Sequence, residues 1–204
     1  MAGMAGRRRD EDPGDRRRPQ RQSTFAERWV MKHANAACYI ATAQAFDDEM
    51  RARINLHRLQ REQSGFAWTT HEAPLGLAEL LHDLGERPAE QGDPADGTLP
   101  IVLVDCLTLW LSNVLLGAGD GPDAAEAVLA REIERLVAAV EAFPGTLVMV
   151  TNEVGSGIVP EYPLGRLYRD WAGLLNRTIA SISDQVFLVT AGIPIELKSR
   201  EYRL

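Results

Sequence analysis

The chain has 204 residues, is 45% hydrophobic, and carries a formal net charge of -7 at neutral pH. This length suits one α/β domain with a sizeable core, and the acidic balance argues against a protein that binds nucleic acid. The sequence shows no apolar run long enough for stable membrane insertion and no signal-peptide core. Two cysteines in apolar runs, Cys38 and Cys106, predict reduced core residues of a cytoplasmic protein.

The first 22 residues form a basic arm that is rich in Arg, Asp, Gly and Pro and has almost nothing to bury. Such a composition predicts disorder. From Ser23 onward apolar periodicity begins, so we predict a single α/β nucleotide-binding domain over residues 23–204.

Helices and apolar strands alternate along this domain. In chain order we predict helix 23–33, strand 36–42, helix 47–63, strand 66–70, helix 75–84, a loop at 86–98, strand 100–105, an apolar helix to about 116, helix 123–142, strand 147–151, a helix to about 183, and strands 186–189 and 193–197. The alternation predicts a mostly parallel sheet with helices on both faces, and the last two strands are candidates for an antiparallel edge.

The most specific stretch covers residues 150–177. The strand ends in Asn152 and Glu153, a loop with Gly155, Gly157 and Pro160 follows, and the next helix carries Arg166, Arg169 and Asp170. Open α/β sheets bind ligands at the carboxyl ends of their strands. The stretch resembles the signature of the bifunctional adenosylcobinamide kinase/adenosylcobinamide-phosphate guanylyltransferases of cobalamin biosynthesis.

This resemblance implies a RecA-like P-loop-type fold and a homotrimer. It also implies two activities. The first phosphorylates adenosylcobinamide with ATP or GTP. The second transfers GMP from GTP to adenosylcobinamide phosphate through a guanylyl-histidine and gives adenosylcobinamide-GDP.

A second matching segment follows the strand that ends near residue 42. Residues 40–43 and 47–57 resemble the family's pattern I-A-T-A, D-D-E-M, R-I-x-x-H. By this resemblance Ala41, Thr42 and Ala43 bind nucleotide and His57 is the nucleophile, a role that imidazole can fill near neutral pH. The alternative is a surface histidine on a charged helix.

Further nucleotide contacts are implied for Arg58, Leu59 and Arg61, which follow the histidine. Glu72, in a segment that resembles W-x-T-x-E-x-P, would hold the edge of the guanine. For Arg61 and Glu72 a solvated surface position is the alternative.

Residues 101–105 are four apolar residues followed by Asp105, and an apolar strand that ends in a carboxylate is the Walker B pattern. Asp105 would hold Mg²⁺ and the nucleotide, and by the resemblance Ser23 is the loop serine whose hydroxyl reaches the same Mg²⁺. Glu153 would support Mg²⁺ or accept the proton of the substrate hydroxyl. Arg166 and Arg169 would clamp phosphates, and Asp170 would hold one of these arginines or pair with Arg166.

The family's phosphate loop, typically Gly-Gly-Ala-Arg-Ser-Gly-Lys-Ser, is absent. Residues 16–22 read Arg-Arg-Arg-Pro-Gln-Arg-Gln, with no apolar strand before them and no lysine. Residues 16–22 can be encoded by codons that, when read one base later, give Gly-Gly-Ala-Arg-Ser-Gly and the start of a Lys codon. In the same shifted frame, residues 12–15 can read Thr-Leu-Val-Thr. We therefore hypothesise a frameshift that scrambled the first strand and the loop.

Three alternatives stay open. The arm can be a divergent tail that is solvated or touches a polyanion. The chain can be a catalytically impaired paralogue that binds nucleotide or corrinoid without turnover. It can also be an unrelated P-loop-like ATPase or small-molecule kinase, which would form no covalent GMP intermediate.

Overall fold

A computed structural model describes residues 21–86, 101–119 and 121–202. The predicted arm lies outside the described residues except for Arg21 and Gln22, which open the first helix. The predicted loop 86–98 also lies outside the described residues, except for Glu86.

The described residues form six α-helices and six strands. The helices are α1 (Arg21–His33), α2 (Asp48–Gln63), α3 (Leu77–Glu86), α4 (Leu107–Gly117), α5 (Pro122–Ala142) and α6 (Pro163–Ile182). The strands are β1 (Ala36–Ala41), β2 (Ala67–Glu72), β3 (Ile101–Asp105), β4 (Leu147–Val150), β5 (Phe187–Thr190) and β6 (Ile193–Glu196).

Four strands form a parallel sheet in the order β2-β1-β3-β4. This confirms the predicted α/β class and the parallel sheet. The two last strands do pair antiparallel, but they form a separate two-stranded sheet in the described part of the chain and do not extend the parallel one.

The two faces of the sheet are buried by different helices. One face, which includes Ile40 and Val104, packs in a core with residues of α3, α4, α5 and α6. The opposite face, which includes Tyr39 and Leu103, packs against α1. Helices on both faces confirm the prediction. Successive side chains of a strand point to opposite faces of the sheet, and each face is covered by helices. Both sides of β1 and β3 are therefore buried.

A buried polar clamp joins the carboxyl ends of β1 and β3. The Thr42 hydroxyl accepts a hydrogen bond from the Cys106 amide and donates one to the Cys106 carbonyl, both at 2.8 Å. The Asn113 amide of α4 donates to the carbonyls of Thr42 (2.8 Å) and Pro74 (3.0 Å). Because buried backbone groups are costly to leave unpaired, this clamp fixes the sheet edge that carries the site.

The start of α2 is also fixed locally. Asp47 has an extended backbone, and its carboxylate accepts a hydrogen bond from the Met50 amide at 2.7 Å, which is an N-cap. Asp48 and Glu49 occupy the first turn, where negative charge is favourable. The D-D-E-M segment therefore sets where α2 begins, and with it the face that each later residue presents.

None of the described helices combines the length and the apolar character needed to cross a membrane.

Candidate functional site

A cavity of about 110 Å³ opens where the carboxyl ends of β1 and β3 meet α1 and α2. Its polar lining comes from residues far apart in sequence: Ser23, Tyr39, Arg53, His57, Arg61 and Asp105. Of the predicted site residues, the cavity brings together Ser23, Ala41, Ala43, His57, Arg61 and Asp105. The sequence pattern did not predict Tyr39 and Arg53 as site residues.

One face of α2 supplies much of the lining. The contributing residues are spaced at helical intervals of three and four: Met50, Arg53, Ile54, His57 and Arg61. Such spacing puts side chains on one face of a helix. This periodicity is the signal that could have identified Arg53 from the sequence.

Asp105 is held in place by two hydroxyl groups. The Ser23 hydroxyl donates to Oδ1 of Asp105 at 3.1 Å, and the Tyr39 hydroxyl donates to Oδ2 at 2.7 Å. Since Tyr39 pairs with Leu103 and Ala41 pairs with Asp105, the tyrosine and the carboxylate lie on the same face of neighbouring strands. A register between strands far apart in sequence produces this contact, so the local pattern could not show it.

Arg61 is a buried cation that lines the cavity. Arg61 is only 7% exposed, and its Cζ lies 3.6 Å from the centroid of the Tyr39 ring. Its Nε has no hydrogen-bond partner among the described residues. A buried guanidinium that keeps an unpaired donor is well suited to an anionic ligand.

His57 is half-buried beside these charges. Burial lowers the pKa of the imidazole, the nearby Arg61 and Arg53 lower it further, and Asp105 acts in the opposite direction. The imidazole is therefore neutral at neutral pH and keeps a free lone pair, as a nucleophile or a base requires. Burial also raises the pKa of Glu27 on α1, an effect that the charge of Arg61 opposes.

Several predicted nucleotide contacts lie outside the cavity. Thr42 is fully buried in the clamp described above, and Glu72 is exposed at the end of β2, in register with Ala41. On the outer side of α2, Arg58 pairs with Glu62 at 3.1 Å and Leu59 is 48% exposed.

Glu153, Arg166 and Arg169 form a second group, around the loop between β4 and α6. Glu153 accepts a hydrogen bond from the Gly155 amide at 2.9 Å. Arg166 donates to the carbonyls of Pro160 (3.3 Å) and Glu161 (2.5 Å), and Arg169 donates to the Gly155 carbonyl at 2.6 Å. These side chains shape the loop. No ion pair joins Asp170 to either arginine within the described ranges.

Replacing Gly165 with alanine should destabilise the protein by about 1–3 kcal/mol, because the new methyl group overpacks this loop. A Cβ at Gly165 would lie 2.6 Å from Cε2 of Tyr162 and 2.7 Å from Cβ of Pro160. The measurement is the free energy of unfolding in urea. Gly173, on the same helix, has no neighbour within 4 Å of its Cβ position, so Gly173→Ala is the matched control and should stabilise by about 0.5–1 kcal/mol. Equal effects at both glycines would contradict close packing at Gly165.

The oxygen donors beside the cavity fit a hard divalent cation. Mg²⁺ is commonly held by one or two carboxylates together with substrate phosphates, and Asp105 with the Ser23 hydroxyl offers such a set. In residues 21–86, 101–119 and 121–202 no group of three or more His, Cys, Asp or Glu side chains is placed to hold a metal ion by itself.

A parallel α/β sheet with a carboxylate, a neutral imidazole and a buried guanidinium around a cavity at its carboxyl edge is the kind of site at which α/β proteins bind phosphorylated ligands. Residues 21–197 match the model of the cobinamide kinase / cobinamide phosphate guanyltransferase family, and the chain belongs to this family. The match begins at residue 21, near the end of the segment 16–22 in which the phosphate loop is missing.

Curated relatives agree with this assignment. The chain is 41% identical over 177 residues to the bifunctional adenosylcobalamin biosynthesis protein CobP of Pseudomonas aeruginosa. The matched region covers 87% of this chain and 91% of that protein. The chain is 40% identical over 168 residues to the bifunctional adenosylcobalamin biosynthesis protein CobU of Escherichia coli K12, covering 78% of this chain and 84% of that protein. The corresponding protein of Salmonella typhimurium LT2 is 39% identical over 168 residues, with the same coverage.

Proposed function

We propose that this chain transfers GMP from GTP to adenosylcobinamide phosphate, and that with an intact phosphate loop it also phosphorylates adenosylcobinamide with ATP or GTP. The observation that carries the proposal is the convergence of His57, Arg61 and Asp105 on one cavity at the carboxyl edge of the sheet. Open α/β sheets bind their ligands at this edge.

The roles follow from the groups and their charges. A nitrogen of the neutral His57 attacks the α-phosphorus of GTP, a P–N bond forms, and pyrophosphate leaves. A phosphate oxygen of adenosylcobinamide phosphate then attacks the same phosphorus, the P–N bond breaks, and adenosylcobinamide-GDP leaves with the histidine regenerated. Arg61 binds phosphate charge, and Asp105 with Ser23 would hold Mg²⁺, which stabilises the negative charge of the phosphates.

The remaining predicted residues keep their roles as proposals. Arg58, Leu59 and Glu72 lie outside the cavity and would contact the part of the guanine nucleotide that extends beyond it. Glu153 would take the proton of the substrate hydroxyl in the kinase step, and Arg166 and Arg169 would meet substrate phosphates from the neighbouring loop.

We also propose that the basic arm is a scrambled first strand and phosphate loop. Two features of the described residues support this. The helix α1 contacts both β4 and β5, yet these strands are not hydrogen-bonded to each other in the described part. Among the described strands, only β3 is hydrogen-bonded to β4, which stands at the end of the strand order. The arrangement suits a further strand beside β4 that would lead into α1.

The absence of the loop also favours a second candidate, a catalytically impaired paralogue that binds nucleotide or corrinoid. Incubation with adenosylcobinamide phosphate, GTP and Mg²⁺, followed by mass spectrometry, separates the two. We expect adenosylcobinamide-GDP and pyrophosphate, and a loss of product in Asp105→Asn. GTP binding without any product would favour the paralogue. ATP hydrolysis without GMP transfer would contradict the proposed guanylyl transfer.

Guanylylation should be independent of pH around neutrality and above, and should fall only as the pH drops through the pKa of His57, which burial lowers below its usual range. Below that pKa the protonated imidazole has no lone pair for attack. Arg61→Gln removes one of the charges that lower the pKa, so the fall should move to higher pH, whereas Arg131→Gln on α5 should leave it in place. Initial rates of label uptake from α-labelled GTP against pH test this. A fall at the same pH in the Arg61 variant and the parent would contradict it.

A homotrimer and a cytoplasmic location remain predictions. Exposed apolar side chains such as Leu116 on α4 and Ile193 on β6 support self-association. Light scattering coupled to size-exclusion chromatography measures the oligomeric state.

A further inference from the structure

The cavity holds two opposite charges that do not pair, the buried Arg61 and the partly buried Asp105. Arg61 and Asp105 both line it, yet no ion pair within 4.0 Å joins them among the described residues. Opposite charges attract strongly in a poorly solvated site, and a buried guanidinium ordinarily finds a carboxylate. Something in the site must therefore favour the separated arrangement.

Tyr39 contacts both charges at once. Its hydroxyl donates to Oδ2 of Asp105 at 2.7 Å, and its ring lies under the guanidinium of Arg61, with Cζ 3.6 Å from the ring centroid. The residue is 3% exposed, and the edge of its ring packs against Trp68, so the ring has little freedom to move.

We propose that Tyr39 is a positioning residue that keeps Arg61 and Asp105 apart, so that the carboxylate stays available to a divalent cation and the guanidinium to a phosphate. The inference rests on the proposed function, because that function assigns these two roles. The cation–π contact gives the guanidinium a partner that does not neutralise it. The phenol donates to one oxygen of Asp105 and the Ser23 hydroxyl to the other, which leaves about half of the lone pairs of the carboxylate for other ligands.

An ion pair between Arg61 and Asp105 would remove both functions together. The cation would face a neutralised carboxylate, and the phosphate would meet a guanidinium whose fork is already occupied. The unpaired Nε of Arg61 agrees with a side chain held in readiness for a ligand and not with one that is satisfied by the protein.

The test is Mn²⁺ binding to the full chain without nucleotide, measured by electron paramagnetic resonance as a substitute for Mg²⁺. Tyr39→Met keeps apolar bulk but removes the ring and the hydroxyl, and we expect it to weaken Mn²⁺ binding about tenfold as Arg61 moves onto Asp105. Adding Arg61→Gln to that variant removes the competing cation and should restore binding to within about threefold of the parent. A tyrosine with only a structural role would not give this rescue.

Tyr39→Phe is the matched control because it keeps the ring under Arg61 and removes one hydrogen bond. It should retain Mn²⁺ affinity within about threefold. If the methionine variant does not fold, this variant decides, and a tenfold loss in it would overturn the separating role of the ring. Failure of the double variant to regain affinity would overturn it as well.

The outcome for Tyr39 can be told apart from that for the proposed function. A parent chain that binds no Mn²⁺ without nucleotide overturns this inference, whereas the proposed reaction still stands because substrate phosphates complete the ligands of the metal there. A parent that binds Mn²⁺ but forms no adenosylcobinamide-GDP contradicts the proposed reaction, and the comparison of Tyr39 variants still stands on the Mn²⁺ affinities.

Discussion

His57→Ala should abolish the transfer of label from α-labelled GTP to the protein, with a loss of at least about 10³-fold in the rate of GMP transfer, because the covalent intermediate can no longer form. The variant removes only the imidazole from a cavity that otherwise keeps Arg61 and Asp105. The measurement is radiolabel that remains on the denatured protein after gel electrophoresis, together with the yield of adenosylcobinamide-GDP.

The matched control is His82→Ala, a substitution of an exposed histidine on α3 that lies beside Glu86. It should keep full labelling. The chemical stability of the label identifies the bond, since a phosphoramidate is cleaved in acid whereas a phosphate ester of serine or threonine persists. Label that survives in His57→Ala would show that another residue is the nucleophile.

Restoring the phosphate loop should raise the kinase rate by at least about 10²-fold, because one well-placed donor to developing phosphate charge is worth about 10²–10³ in rate. The change replaces residues 12–22 with Thr-Leu-Val-Thr-Gly-Gly-Ala-Arg-Ser-Gly-Lys and leaves Ser23 and everything after it intact. The measurement is transfer of label from γ-labelled ATP or GTP to adenosylcobinamide.

The control for this change is the same replacement with alanine in place of the new lysine. It should rebuild the strand but recover much less kinase activity, because the lysine contacts the terminal phosphates. No gain from the full replacement would contradict the frameshift hypothesis. So would a gene sequence across codons 10–24 in which no single added base restores the frame.

Much of the fold could be predicted because its signals are local. Buried strands such as β1 and β3 read as short apolar runs, and the N-cap at Asp47 marks the start of α2 within a residue. The final hairpin was predicted as a pair, but its separation from the parallel sheet depends on neighbours beyond the hairpin itself. A hairpin's own sequence does not specify which other strand it joins.

The site was partly predictable for the same reason. His57 and Arg61 are four residues apart on one helix, and the same periodicity turns Arg58 outward to Glu62. The contacts of Tyr39 with Asp105 and of Thr42 with Cys106 span more than sixty residues and come from sheet register, which no local pattern encodes.

The way β4 is paired has a consequence for handling the protein. In the described part of the chain its short apolar sequence, Leu-Val-Met-Val, is hydrogen-bonded to β3 on one side. An apolar strand with unmet amide and carbonyl groups is a template for pairing with another molecule, and such contacts grow into insoluble aggregates. Concentrated preparations of the chain as written should therefore precipitate more readily than those carrying the restored strand, which would cover that edge.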